Sequence, residues 1–199
     1  MSSKQVSRTF FIVGFILTSN WLNAQDTSKK SSFQIKERYS ITTEFQTLRT
    51  THATYFNGGS LTVGYFISPR VVISAGVEYS YDYFHNDNGW NLYQLKIVPF
   101  FIDAKFLMNM NKRITPYFEL SQGMSFINYR KEDQLNVFAP YHVSEKGYYV
   151  YGGTGASIKI AGNLSFQIGV GFKAFHISSN VLEVNPHGLT FRSGVSYRF

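Results

Sequence analysis

From Tyr39 to the C-terminus the chain alternates apolar and polar residues one by one, the period of strands with one oily and one wet face. Eight segments carry the pattern. The first, about 38–48, sets Tyr39, Ile41 and Phe45 against Ser40, Thr42, Glu44 and Gln46. The second, about 59–67, opposes Leu61, Val63, Tyr65 and Ile67 to Ser60, Thr62 and Gly64, and the third, about 71–83, runs Val71, Ile73, Ala75, Val77 and Tyr79 against Ser74, Gly76, Glu78 and Ser80. The fourth, about 91–107, changes parity: Tyr93, Leu95 and Ile97 open one face, and Phe100, Ile102, Ala104 and Phe106 continue the other. Pro99 stands between them, and a proline there predicts a bulge that shifts the register.

The fifth segment, about 114–129, turns Phe118, Leu120, Met124 and Phe126 away from Tyr117, Glu119, Ser121 and Ser125. The sixth, about 147–160, and the seventh, about 164–175, continue the alternation with Tyr148, Val150, Ala156 and Ile158, then Phe166, Ile168, Val170 and Phe172, on the apolar side. The eighth, about 188–199, has Leu189, Phe191, Val195, Tyr197 and Phe199 against Thr190, Arg192, Gly194 and Ser196. Links after the second, fourth and sixth segments are short (68–70, 108–113, 161–163), and those after the odd ones are longer and polar. That alternation predicts an all-β fold, an eight-stranded antiparallel up-and-down transmembrane β-barrel, with both termini and the tight turns periplasmic and the larger loops outside.

Alternation alone fits equally a small secreted ligand-binding barrel with an apolar core. Three features favour lipid around a polar interior. Charges of both signs (Glu44, Glu78, Glu119, Lys96, Lys159, Lys173 and Arg192) sit singly on the polar face, where a narrow lumen would bring them together. The same face is rich in glycine, which relieves crowding inside a tightly curved sheet. Aromatics gather near segment ends, with Tyr81, Tyr83, Trp90, Tyr93, Tyr129 and Tyr148 toward the loops and Tyr39, Phe106, Tyr197 and Phe199 toward the turns, as in the two aromatic belts of a membrane barrel.

The N-terminus reads as an address. Lys4 and Arg8 precede the apolar run TFFIVGFIL at 9–17, and Ala24 is a small residue suited to the last position before a cut. The predicted organisation is a signal peptide over 1–24, a periplasmic linker over 25–37 and an outer-membrane barrel over 38–199. Loss of Lys4 and Arg8 lowers the net charge from +7 to +5, too diffuse an excess for a nucleic-acid surface. With no cysteine in 199 residues, disulfide scaffolds, thiolate metal sites and cysteine nucleophiles are excluded. Gly152-Gly153-Thr154-Gly155 precedes neither a lysine nor a helix, so it reads as strand glycines rather than a phosphate loop. Neither a cofactor nor a metal is expected; His52, His85, His142, His176 and His187 read as separate polar residues in or beside the outer loops.

Over the whole mature chain these features resemble the outer-membrane β-barrel (porin-like) family of Gram-negative bacteria. The ending from Arg192 to Phe199, with Gly194, Tyr197 and Phe199, is similar to that family's C-terminal assembly signal, which implies recognition by the barrel-assembly machinery and a place in the cell outer membrane among its lipids and lipopolysaccharide. A narrower resemblance covers 172–199: His176, Ser178 and Asn180, followed by Asn185 and Pro186, resemble a His-x-Ser-Asn motif and its downstream region in lipid A 3-O-deacylases. It implies a nucleophile at Ser178 and a general base at His176. Here Ser179 is an additional residue, His187 interrupts the downstream run, and Thr190 stands near where the family has an acid. The plainer reading is a polar loop entry.

The expected function is therefore a small non-enzymatic barrel with a packed polar lumen and interacting surface loops. A deacylase-type esterase is the alternative, and a small-solute pore comes third. The loop 130–147, with exposed-looking Val137, Phe138 and Tyr141, is the candidate contact surface for a ligand. N-terminal sequencing of the exported protein should begin at Gln25; an intact Met1 would overturn the leader assignment.

Overall fold

The computed structural model describes residues 37–50, 55–87, 90–108, 113–133, 139–177 and 186–199, apart from the side chains of 85–87, 90, 133 and 177. The predicted leader and nearly all of the linker fall outside this range. Eight strands follow in order: β1 (Tyr39–Thr50), β2 (Tyr55–Ser68), β3 (Val71–Asp87), β4 (Trp90–Leu107), β5 (Ile114–Asp133), β6 (Tyr141–Ala161), β7 (Leu164–Ile177) and β8 (His187–Arg198). Each pairs antiparallel with its neighbours, and β1 pairs with β8, so the sheet is a closed barrel.

Closure runs along the whole of β1 and β8, from Ser40 opposite Arg198 to Thr50 opposite Gly188. Tyr39 and Phe199 exchange two backbone hydrogen bonds of 3.0 Å each at its turn end. There the rings of Tyr39, Tyr65, Tyr197 and Phe199 form one cluster, with Tyr39 stacked 5.9 Å from Phe199. Gly194 lets β8 lie tight against β1, since a Cβ at that position would come within 2.7 Å of Glu44 Cα.

The apolar face is outside. Ile41, Phe45, Leu61, Val63, Ile102, Leu120, Ile168, Val170 and Phe191 are all exposed, in a continuous belt around the barrel, while Ser40, Thr42, Glu44, Glu78, Ser121, Lys173 and Arg192 are buried within it. This arrangement is inverted for water and correct for hydrocarbon. Strands of 12 to 21 residues exceed the roughly 9–11 that a tilted strand needs to cross.

Three expectations change. First, the parity break in β4 lies at Gln94, whose φ of 56° is left-handed, and the β4–β5 register shifts between Tyr93 and Lys96. Pro99 interrupts nothing: Leu95, Ile97, Pro99 and Phe101 all face the lumen, and Lys96 points outward. Second, the outer strand ends run further than their alternation suggests. β3 and β4 leave only Asn88 and Gly89 between them, and most of the supposed loop 130–147 is strand, with Tyr141 opening β6 and Val137 and Phe138 outside the described residues. The expected alternation of short and long links therefore fails at β3–β4, which is shorter than the link over 108–113. Third, Tyr129 is buried in the lumen rather than in the outer aromatic belt.

Val170 lies midway along β7 on the lipid face, so Val170→Arg should cost roughly 2–4 kcal/mol in vesicle unfolding, against about 0–1 kcal/mol for Ser144→Arg on the outward face beyond the belt. Equal costs at the two depths would contradict a hydrocarbon belt.

Candidate functional site

The interior is the most organised part of the molecule, and it is layered. At the turn end lies a polar vestibule of about 100 Å³ lined by Glu37, Ser157, Lys159, Ser165 and Arg198. Above it a smaller cavity of about 20 Å³ is bounded by hydroxyls, among them Ser40, Thr42, Ser74 and Ser196. Thr42 Oγ1 donates to Ser196 Oγ at 2.8 Å across the closing seam.

The middle layer is ionic. Lys173 Nζ, with no exposed surface, donates to both oxygens of Glu78 at 2.8 Å and to Gln46 Oε1 at 2.8 Å, tying β7 to β3 and β1. Arg192 Nη1 lies 2.6 Å from Glu119 Oε1 and 3.7 Å from Glu44 Oε2. Its guanidinium covers the Tyr151 ring at 3.8 Å, and Nη2 donates to Tyr149 Oη at 3.3 Å. Lys105 reaches Glu119 Oε2 at 3.5 Å, donates to Gln167 Oε1 at 2.8 Å and lies over the Tyr117 ring. Asp103 accepts from Ser121 Oγ at 3.0 Å. Buried charges are tolerable only when each meets its opposite and its remaining hydrogen-bonding groups are satisfied. The strand register supplies the pairing by bringing charges from six different strands to one level, although Glu44 Oε1, Glu119 Oε2 and Arg192 Nε have no hydrogen-bond partner among the described residues.

Five charges expected in the lumen meet there: Glu44, Glu78, Glu119, Lys173 and Arg192. Lys159 instead stands exposed at the turn-end rim, and Lys96 faces outward because the parity of Phe100, Ile102 and Ala104 runs on unbroken past Pro99. Asp103 and Lys105 join the cluster without having been singled out, although their parity opposite Ile102, Ala104 and Phe106 already placed them inside.

The loop end is closed by an apolar plug. Leu92, Leu95, Ile97, Ile127 and Tyr149 are completely buried, and they pack with Leu48, Phe56, Phe101, Tyr129, Tyr151 and Phe175 into one cluster. Glycines on β6 and β7 make room for the rings below. A Cβ on Gly171 would sit 2.5 Å from the Tyr151 ring, and one on Gly155 2.5 Å from Tyr117. The glycine-rich polar face is thus a socket for lumenal tyrosines.

His176 lies near the outer end of β7, exposed on the lipid-facing side, and no described residue makes a hydrogen bond or ion pair with it. Ser178, its proposed nucleophilic partner, is outside the described residues, as is His52. Thr190, the position where an acid would complete a triad, faces the opposite way: it is fully buried and donates to Thr47 O at 3.1 Å. His142 and His187 stand on the outward faces of β6 and β8, and no group of three or more metal-ligating side chains forms among the described residues.

Lys173→Met should destabilise the barrel by about 3–5 kcal/mol in vesicle unfolding, because it strands Glu78 in the lumen, and adding Glu78→Gln should recover most of the loss. Independent, additive effects would show that the pair is not coupled.

No protein-family model and no curated protein matches the chain. Solved structures do. Neisserial surface protein A superposes with a TM-score of 0.57 at 12% identity, covering 81% of this chain and 96% of that one. A major outer membrane protein from Thermus thermophilus superposes with a TM-score of 0.59 at 12% identity, covering 82% of this chain and 100% of that one. At such identities the likeness is one of fold, and the fold is that of the eight-stranded outer-membrane β-barrels.

Proposed function

We propose that the chain is a small non-enzymatic protein of the cell outer membrane, one that conducts no ordinary solute and acts through its outer rim. The observation that carries this reading is the stacked lumen. A solute entering from the turn end meets a vestibule of about 100 Å³, then the ionic layer, then a plug whose central side chains have no exposed surface. An eight-stranded barrel is just wide enough for side chains to fill it, which agrees. On this reading the exposed belt meets acyl lipid, and Gly194, Tyr197 and Phe199 form the end of β8 that the barrel-assembly machinery grips. The strands extending past the belt at the loop end, β3 to β6, present the surface for a ligand.

The esterase alternative draws support only from His176, exposed where acyl chains would lie, and gains no acid from Thr190. A pore would need the plug to move.

Two measurements test the proposal. Proteoliposomes of the purified protein should show no sugar-driven swelling above protein-free vesicles; appreciable flux would contradict it. Because the sequence contains no cysteine, single cysteines report orientation cleanly. Ser144→Cys at the loop end should react with a membrane-impermeant maleimide on intact cells and Ala161→Cys at the turn end should not; the reverse pattern would invert the assigned topology.

A further inference from the structure

The lipid-facing surface is not uniform. Across β3 to β6 it carries a depression of about 660 Å³, lined by Ala75, Phe100, Ile102, Gln122, Met124 and Tyr148. It opens where β3 presents only the small Ala75 on the outward face. One polar group lies in it. Gln122 projects outward between Leu120 and Met124, four residues short of the last apolar position, Phe126, and so about 10 Å below the rim of the belt for a tilted strand. Gln122 Oε1 accepts from Tyr148 Oη at 3.1 Å, and its amide nitrogen has no partner among the described residues.

Directly beyond the belt, over the same strands, stand three cations. Lys96 on β4 pairs with Asn128, Arg130 lies two residues further along β5, and Lys146 on β6 stands opposite Phe126, itself part of the depression. All three are exposed on the outward face, and none makes an ion pair with a described residue. The nearest outward carboxylate, Glu132, lies one outward position beyond Arg130, away from the membrane. Elsewhere among the described outward positions at this rim the sole Lys or Arg is Arg49 on β1, which lies 6.0 Å over the Tyr55 ring. Charge, depression and lone amide donor therefore share one side of the barrel.

We propose that the β3–β6 face holds one phosphorylated, multiply acylated glycolipid of the lipid A class, its phosphates spread over Lys96, Arg130 and Lys146 and an acyl chain in the depression. This rests on the outer-membrane reading, because only that membrane's outer leaflet presents such a lipid on the loop side. A glycerophospholipid offers one phosphate to a basic rim spread over three strands, so the glycolipid is the better match to its breadth.

The test is lipid retention by native mass spectrometry. Protein in detergent micelles is offered diphosphoryl lipid A, phosphatidylglycerol or phosphatidylethanolamine. Wild type should retain one lipid A in preference to either phospholipid. Lys96→Gln, Arg130→Gln and Lys146→Gln together should cut retention on the order of tenfold or more, since each cation adds to the attraction. Ala75→Phe, which fills the depression from the outside, should also lower it, and Arg49→Gln should leave it unchanged. Equal retention of phosphatidylglycerol, an unaffected triple variant, an unaffected Ala75→Phe or an equal loss with Arg49→Gln would each overturn the site. Heat-modifiable gel mobility separates the premises: an inserted barrel that retains no lipid A sinks this proposal alone, whereas a protein that never inserts sinks the outer-membrane reading beneath it.

Discussion

Hydrocarbon offers no partner to a peptide N–H or C=O, and a sheet that crosses it must therefore have no edge. In this chain that demand is met at one seam, the pairing of β1 with β8, and the rest of the structure depends on it. Tyr39 and Phe199 bond reciprocally at the turn end, Gly194 allows the two backbones to approach, and the hydroxyls of Thr42 and Ser196 bond across the inner face. Each of these residues lies within a few positions of one end or the other of the barrel sequence. The two most distant parts of the fold are thus the ones that must meet, which makes closure a nonlocal event of high contact order.

Once the sheet closes, its inner face becomes a confined volume, and confinement turns scattered charges into a network. Lys173, Glu78 and Gln46 come from β7, β3 and β1; Arg192, Glu119 and Glu44 come from β8, β5 and β1. None of these pairs is local, and none would be worth much at a wet surface, where exposed ion pairs contribute about 0–1 kcal/mol. Inside the barrel they act as struts whose removal leaves a charge with nowhere to go. The ionic layer also fixes strand register, because a slip of one residue would send every charge to the lipid face.

The bulge at Gln94 completes the top of the interior. By admitting one additional residue into β4 it lets Leu92 and Leu95, three positions apart, both face inward and join the plug, while Ile97 inward and Lys96 outward keep the parity that runs on from Phe106. A single left-handed residue thus adds Leu92 to the apolar closure at the loop end of the lumen. Bulges commonly re-aim side chains at barrel rims, and this one re-aims the start of β4.

How much of this is legible in the sequence follows from the same physics. Strand number, antiparallel order and the lipid-facing residues are written in a period of two that persists through seven of the eight strands, because each residue's face is fixed by its immediate neighbours. The turn-end belt is legible too, since aromatics there follow parity to the end of each strand. Parity also assigned Glu44, Glu78, Glu119, Lys173 and Arg192 to the interior, and it contained Asp103 and Lys105 unread. What it did not contain is which charge meets which, since partners lie as far apart in the chain as Glu44 and Arg192 and are chosen by barrel shear. Nor did it contain the Gln94 bulge: a left-handed glutamine carries no compositional mark, and Pro99, the residue with one, sits quietly in the ladder. The sequence by itself determined a barrel with an oily outside and an ionic inside, because alternation is a local property. Only the tertiary structure decided how the inside is paired and plugged, because those contacts exist only after the two ends of the chain have met.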